Sequence, residues 1–282
     1  MNNISDEVYV SPHFKNLDDK DNAMKIVYIL DRSGSMSSVR QETIDGFNKY
    51  VEAQKKNPWK TTMSLILFDD QYDVLYEELP IQDVELLNDN TFIPRGSTAL
   101  YDAIGKTINT LGEKISQSGE KNKAILVVIQ TDGEENASRE YDSKSIKTCI
   151  DEKTQNSWEF VYLGANQNVF LAASTLGIKK SNLVHYANSK VSVNKTYENL
   201  ENASYRWATR SFCGMPEGHA GANLDFFMQD EQDTTDLSTP KYTNTGNTLN
   251  IKDIQNVNIT DTTLTINTPN VQVDLNLPNG LK

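Results

Sequence analysis

Through residue 23 the chain is polar and acidic with scattered aromatics such as Tyr9 and Phe14, a pattern that predicts an arm rather than a folding unit. The pattern changes at Lys25. Ile26-Val27-Tyr28-Ile29-Leu30 is an unbroken β-prone apolar run, as expected of a strand covered on both faces of a parallel sheet, and it stops abruptly at Asp31. Ile44, Phe47 and Val51 then recur at helical spacing, followed by strand-like runs at Met63 to Phe68 and Tyr72 to Tyr76. Leu100, Ile104, Ile108, Leu111 and Ile115 fall at steps of three or four, which predicts one apolar helix face. Ala124 to Ile129 is the next strand, and it runs out at Asp132. A further cycle places Ile146, Cys149 and Ile150 on a helix, Phe160 to Leu163 on a strand, and Val169 to Leu176 on a helix stopped by Gly177. Leu183 to Tyr186 and a helix carrying Val193, Tyr197, Leu200 and Trp207 complete the series.

Repeated strand–helix cycles with buried strands predict an α/β fold: a doubly wound, mostly parallel sheet with helices on both faces, over residues 24–210. Ligands of such sheets sit at the carboxyl ends of the strands, where Asp31 and Asp132 stand despite their distance in sequence. The full length of 282 residues leaves room for a smaller appendage. Residues 211–242 read as an acidic linker. In 243–282, rich in Asn and Thr, the apolar pairs Leu249/Ile251, Val257/Ile259, Leu264/Ile266 and Val271/Val273 repeat every seven or eight residues. Short strands joined by tight polar turns would produce that rhythm, and so would a disordered polar tail with incidental alternation.

Charge narrows the function classes. With 39 acidic against 27 basic residues and a net charge of −12, the chain repels polyphosphate and offers no basic stripe, which argues against a nucleic-acid ligand. Two cysteines, Cys149 and Cys213, support neither a disulfide framework nor a four-ligand zinc site and read as free thiols. The opening residues lack the basic and apolar regions of a signal peptide, and no apolar run approaches the roughly 20 residues of a membrane span. The expected location is the cytoplasm, or a virion if the chain leaves as part of a particle.

The segment Asp31-Arg32-Ser33-Gly34-Ser35 follows the first strand, and alternation along it can bring a carboxylate and two hydroxyls around one point. Oxygen-only donors with several neutral hydroxyls favour a hard cation, Mg²⁺ first, with Ca²⁺ and Mn²⁺ open. Asp-x-Ser-x-Ser after an apolar strand resembles the first motif of von Willebrand factor A (vWA) domains, which are Rossmann-like. Arg95-Gly96-Ser97-Thr98-Ala99-Leu100-Tyr101-Asp102 is similar to that family's threonine loop, and Gln130-Thr131-Asp132-Gly133-Glu134-Glu135 to its strand-terminal aspartate. The resemblance covers about residues 24 to 210. It implies a complete metal-ion-dependent adhesion site, with hydroxyl ligands from Ser33, Ser35 and Thr98, and with Asp31 and Asp132 acting directly or through water. It further implies that the metal captures an Asp or Glu of a partner protein.

An enzyme is the rival class, since Asp31 at a strand end could be a phosphoryl-transfer nucleophile. Such sites carry a second aspartate two residues later, where this chain has Ser33, and neither a Gly-x-Ser-x-Gly elbow nor a Gly-Lys-Ser/Thr loop occurs. The expectation is therefore a binding protein without catalysis. His13, His185 and His219 share no ligand spacing, and His185, inside a strand run, is expected to be packed and hydrogen-bonded. Cys213 and His219 lie close together but lack an orienting partner and are assigned no role. Phe226-Phe227 is expected to pack back onto its own domain. The tail resembles β-spike and fibre repeats of bacteriophage structural proteins, which implies self-association through it. The second reading is accordingly a virion assembly protein whose metal is architectural.

Overall fold

The computed structural model describes residues 22–117, 123–165, 169–186, 190–213 and 226–227, and the backbone of 256–259, 263–267 and 272–276. Most of the expected N-terminal arm and of the acidic linker lies outside these residues. Two compact units divide the chain, residues 1–232 and 233–282.

The first unit is a six-stranded sheet flanked by helices. Its elements are β1 (Ala23–Asp31), α1 (Arg40–Gln54), β2 (Lys60–Phe68), β3 (Tyr72–Pro80), α2 (Leu100–Gln117), β4 (Lys123–Thr131), α3 (Ser143–Gln155), β5 (Trp158–Ala165), α4 (Val169–Thr175), β6 (Leu183–Tyr186) and α5 (Lys190–Cys213). The strand order is β3-β2-β1-β4-β5-β6. Strands β2, β1, β4, β5 and β6 run parallel, and β3 folds back antiparallel on β2 at one edge. The expected α/β architecture is thus present.

Each central strand feeds two cores because successive side chains point to opposite faces. Ile26, Tyr28 and Leu30 of β1 pack with Phe47, Tyr50 and Val51 of α1 and Val193, Tyr197 and Leu200 of α5. Val27 and Ile29 pack instead with Leu100, Ile104 and Ile108 of α2, Ile146 and Ile150 of α3, and Val169 and Ala173 of α4. That double cover explains the unbroken apolar run at residues 26–30. Helix α1 approaches α5 through a glycine: a methyl group at Gly46 would fall 2.0 Å from the Tyr197 ring. Helix α3 begins on a capping box, with Asp142 accepting from Ser145 N–H, and α4 is followed by Gly177 at φ 78°, the left-handed stop expected from sequence.

Two differences from the sequence reading have physical causes. Strand β3 extends to Pro80, past the apolar run, because as an edge strand it needs only one covered face. His185, expected to be packed, is exposed: β6 is the opposite edge, and only Tyr186 of that strand is buried.

In the second unit β7 (Asn256–Ile259), β8 (Thr263–Asn267) and β9 (Gln272–Asn276) form an antiparallel sheet in the order β7-β8-β9. The register pairs Val257 with Ile266, Ile259 with Leu264, and Ile266 with Val273. Short strands underlie the seven-to-eight-residue rhythm over the described residues; Leu249, Ile251 and Val271 lie outside them.

Candidate metal centre

Strand β1 lies between β2 and β4, so the chain leaves it in one direction and returns on its other side, which makes the carboxyl ends of β1 and β4 the switch point of the sheet. Asp31 closes β1 and Asp132 follows β4. Three loops meet there: the one opening at Arg32, the one carrying Thr98 ahead of α2, and the one from Asp132 to α3.

Within the first loop Asp31 Oδ1 accepts from Ser33 N–H at 2.6 Å, which folds the chain back on its own carboxylate. A 3₁₀ turn, Gly34–Val39, then leads into α1. The Ser33 and Ser35 hydroxyls stand 3.0 Å apart, and Ser35 Oγ donates to Asp132 Oδ1 at 2.6 Å. Thr131 Oγ donates to Asp31 Oδ2, also at 2.6 Å. Each aspartate therefore holds a side chain adjoining the other's strand end: Asp31 the last residue of β4, and Asp132 a serine of the loop after β1. Thr98 enters through Gly133: a methyl group there would lie 3.1 Å from Thr98 Oγ, 3.4 Å from Ser35 Oγ and 3.8 Å from Ser33 Oγ. Three hydroxyls from two loops ring one small space, which stays open because position 133 has no side chain.

The loops are bound to one another by main-chain and ionic ties. Arg95 N–H donates to Arg32 C=O at 2.7 Å and Gly34 N–H to Gly96 C=O at 3.2 Å. Gly96 has φ 66°, and a side chain there would strike Asp70. Asp69, wholly buried after β2, accepts from Arg32 Nε at 3.1 Å and Arg95 Nε at 2.7 Å, while its main-chain carbonyl takes Ala99 N–H. On the far side Asn136 Oδ1 accepts from Thr98 N–H at 2.9 Å, and Thr98 C=O accepts from Asn136 N–H at 3.0 Å. Glu135 receives Tyr101 N–H at the start of α2 and both Ala137 and Ser138 N–H in its own loop.

Two buried carboxylates face each other here without a cationic partner among the described residues. Burial pushes Asp31 up to about 6, with the Asp132 charge adding and the bonds from Thr131 and Ser33 opposing. Burial also raises Asp132, against the Ser35 hydrogen bond. Asp132 Oδ2 is buried with no hydrogen-bond partner, a deficit of about 1–3 kcal/mol or more for a charged group. An orphaned carboxylate oxygen beside a space ringed by hydroxyls fits a hard divalent cation, which would restore the anionic form of both acids.

The structure brings Asp31, Ser33, Ser35, Thr98 and Asp132 together. Sequence reasoning missed Asp69, Thr131 and Asn136, which hold them. Asp69 was open to detection by the rule that picked out Asp31 and Asp132, since it too follows an apolar strand at its carboxyl end. No group of three or more His, Cys, Asp or Glu is placed to hold a metal among the described residues, so the donor set here is one of hydroxyls with two carboxylates. Cys149 is a free, half-buried thiol on α3, while His13, His219 and the Cys213 side chain lie outside the described residues. Phe226 is buried near Trp207, at 6.4 Å between ring centroids, and Phe227 N–H donates to Ser181 C=O; the pair packs onto the first unit as expected. No described helix is long and apolar enough to cross a membrane.

No family model and no curated protein matches the sequence. Among solved structures, proximal thread matrix protein 1 from the mussel byssus, in a form with a zinc-occupied MIDAS motif, is similar at TM-score 0.48 and 14% identity over 65% of this chain and 46% of that one. The ArnB paralog VWA2 from Sulfolobus acidocaldarius gives 0.44 and 18% over 63% and 45%, and the SpRpn10 VWA domain 0.43 and 13% over 63% and 94%. This chain spans under half the length of the mussel protein. The neighbours are vWA domains; at such scores and identities they carry no argument about what this chain binds.

Proposed function

We infer that the chain is a divalent-cation-dependent protein-binding module in which Asp31, Ser33, Ser35, Thr98 and Asp132 hold the cation, Mg²⁺ being the first choice. The observation that carries this reading is the ring of three hydroxyls beside Gly133 next to the partnerless Asp132 Oδ2. With hydroxyls as donors beside two buried acids, a bound cation would supply a Lewis-acidic position for an acidic side chain of a partner. The chain's own part is to hold that position rigid: Asp31 orients Ser33 and Thr131, Asp132 orients Ser35, and Asn136 fixes the Thr98 backbone.

The test is calorimetric titration of metal-stripped protein with MgCl₂ and MnCl₂, followed by capture of partners with and without EDTA. Saturable one-to-one metal binding lost in Asp31→Ala, together with EDTA-sensitive capture, is the expected result. Metal binding that survives Asp31→Ala and Ser33→Ala would sink the assignment.

A second reading, an assembly protein of bacteriophage type with an architectural metal, draws on the C-terminal sheet. Three strands of four or five residues cannot bury a core of their own, and their register aligns apolar residues with one another. Light scattering on the full chain and on an Ile266→Asn variant tests it: a multimer that the variant dissolves supports self-association through the tail, and a monomer in both cases removes it.

A further inference from the structure

Beside the cation centre a cleft of about 580 Å³ opens between the start of α2, the ends of β4 and β5, and α4. Asp132 and Gly133 belong to both, so whatever occupies the space beside Gly133 sits at the edge of the cleft. The floor is apolar: Leu100, Ala165, Val169, Ala172 and Leu176 line it. Leu171 lines its rim while 65% exposed, and the adjoining Phe170 is 57% exposed, two large apolar side chains held in water on a single short helix. Tyr162 also lines the cleft. Its side chain is 2% exposed, and its ring adds to the apolar wall.

We propose that this cleft seats a bulky apolar side chain, Leu, Ile, Met or Phe, of the same partner segment whose Asp or Glu reaches the cation, so that the module reads an acid next to an apolar residue. The inference rests on the cation-centre reading. Size supports it: the volume lies in the range of ligand pockets and accommodates one large side chain with the adjoining backbone. Charge supports it too. Glu134, exposed on the same wall, together with Asp132 repels a second acidic side chain from the cleft, which leaves the acid to the cation and the apolar residue to the floor.

The full-length protein is first titrated with MgCl₂ alone. It is then titrated in saturating Mg²⁺, by NMR, with capped peptides Gly-Gly-Asp-Gly-Gly, Gly-Leu-Asp-Gly-Gly and Gly-Gly-Asp-Leu-Gly. One of the Leu peptides is expected to bind about tenfold tighter than the Gly peptide, the gain from burying most of a leucine side chain. That gain disappears in Ala172→Phe, which fills the floor, with Mg²⁺ affinity unchanged. Should Ala172→Phe fail to fold, Leu171→Glu, at an exposed position, is expected to remove the same advantage. Normal Mg²⁺ binding with equal affinity for all three peptides, or a leucine advantage that persists in a folded cleft variant, overturns the cleft and leaves the cation centre standing. Absence of Mg²⁺ binding overturns both.

Discussion

Asp69 accepts a hydrogen bond from Arg95 Nε at 2.7 Å although the first is wholly buried after β2 and the second is half exposed in the loop that carries Thr98. Because Asp69 also takes Arg32 Nε from the loop that carries Ser33 and Ser35, one carboxylate sets the spacing of two donor loops without touching the space between them. Asp69→Asn leaves Arg32 buried with its counter-charge reduced. It is expected to cost about 3 kcal/mol of stability in urea unfolding and to weaken Mn²⁺ binding about tenfold. A variant with unchanged Mn²⁺ affinity would show that the loops hold their spacing by main-chain bonds alone.

Gly133→Ala tests the open space directly. No positive φ is recorded at this position, so the backbone tolerates alanine, but the new methyl would stand 3.1 Å from Thr98 Oγ. Stability should change by no more than about 1 kcal/mol while metal affinity falls by about tenfold or more. Calorimetry on the folded variant decides it.

The pH dependence of the metal-free protein follows from Asp31, raised from 3.8 to about 6 chiefly by burial. The folded state binds more protons than the unfolded state between these values, so the Asp31 contribution makes the protein more stable at pH 4 than at pH 7. That contribution is lost as pH rises through about 6 and amounts to roughly 3 kcal/mol at most. In EDTA, the stability difference between wild type and Asp31→Asn should therefore move in favour of wild type as pH is lowered from 7 to 4. A difference independent of pH would refute the raised value. Saturating Mg²⁺, by favouring the anion, should flatten the same curve.

Gly46→Ala pits helix propensity against packing. Alanine is favoured over glycine by about 1 kcal/mol in a helix interior. Here its methyl would meet the Tyr197 ring at 2.0 Å, and that ring is itself held by the Tyr197 hydroxyl donating to Gln130 Oε1 at 2.8 Å. The net expectation is a loss of about 2 kcal/mol, read as a lower urea midpoint. A stabilised variant would mean that α1 and α5 slide apart easily.

The strands and most helices were legible because burial imposes a period on the sequence. Residues 26–30 read as a two-sided strand since both faces are covered, and Leu100, Ile104 and Ile108 as a helix face since all three meet the same sheet. The edges were less legible. His185 and the outer half of β3 face solvent on at least one side, and there the pattern carries little information about neighbours.

By itself the sequence determined that two apolar strands end in aspartates, that Ser33 and Ser35 flank a glycine, and that a threonine loop precedes a helix. These are local features, set by side chains within a few residues of one another. Only the tertiary structure decided that β1 and β4 are neighbours, which brings Asp31 within 2.6 Å of Thr131 and Ser35 within 2.6 Å of Asp132. It also assigned Arg32 and Arg95 to Asp69 and opened the cleft under α4. Strand order and loop contacts depend on which faces the crossovers bury together, a sum over the whole core that no single stretch of chain contains.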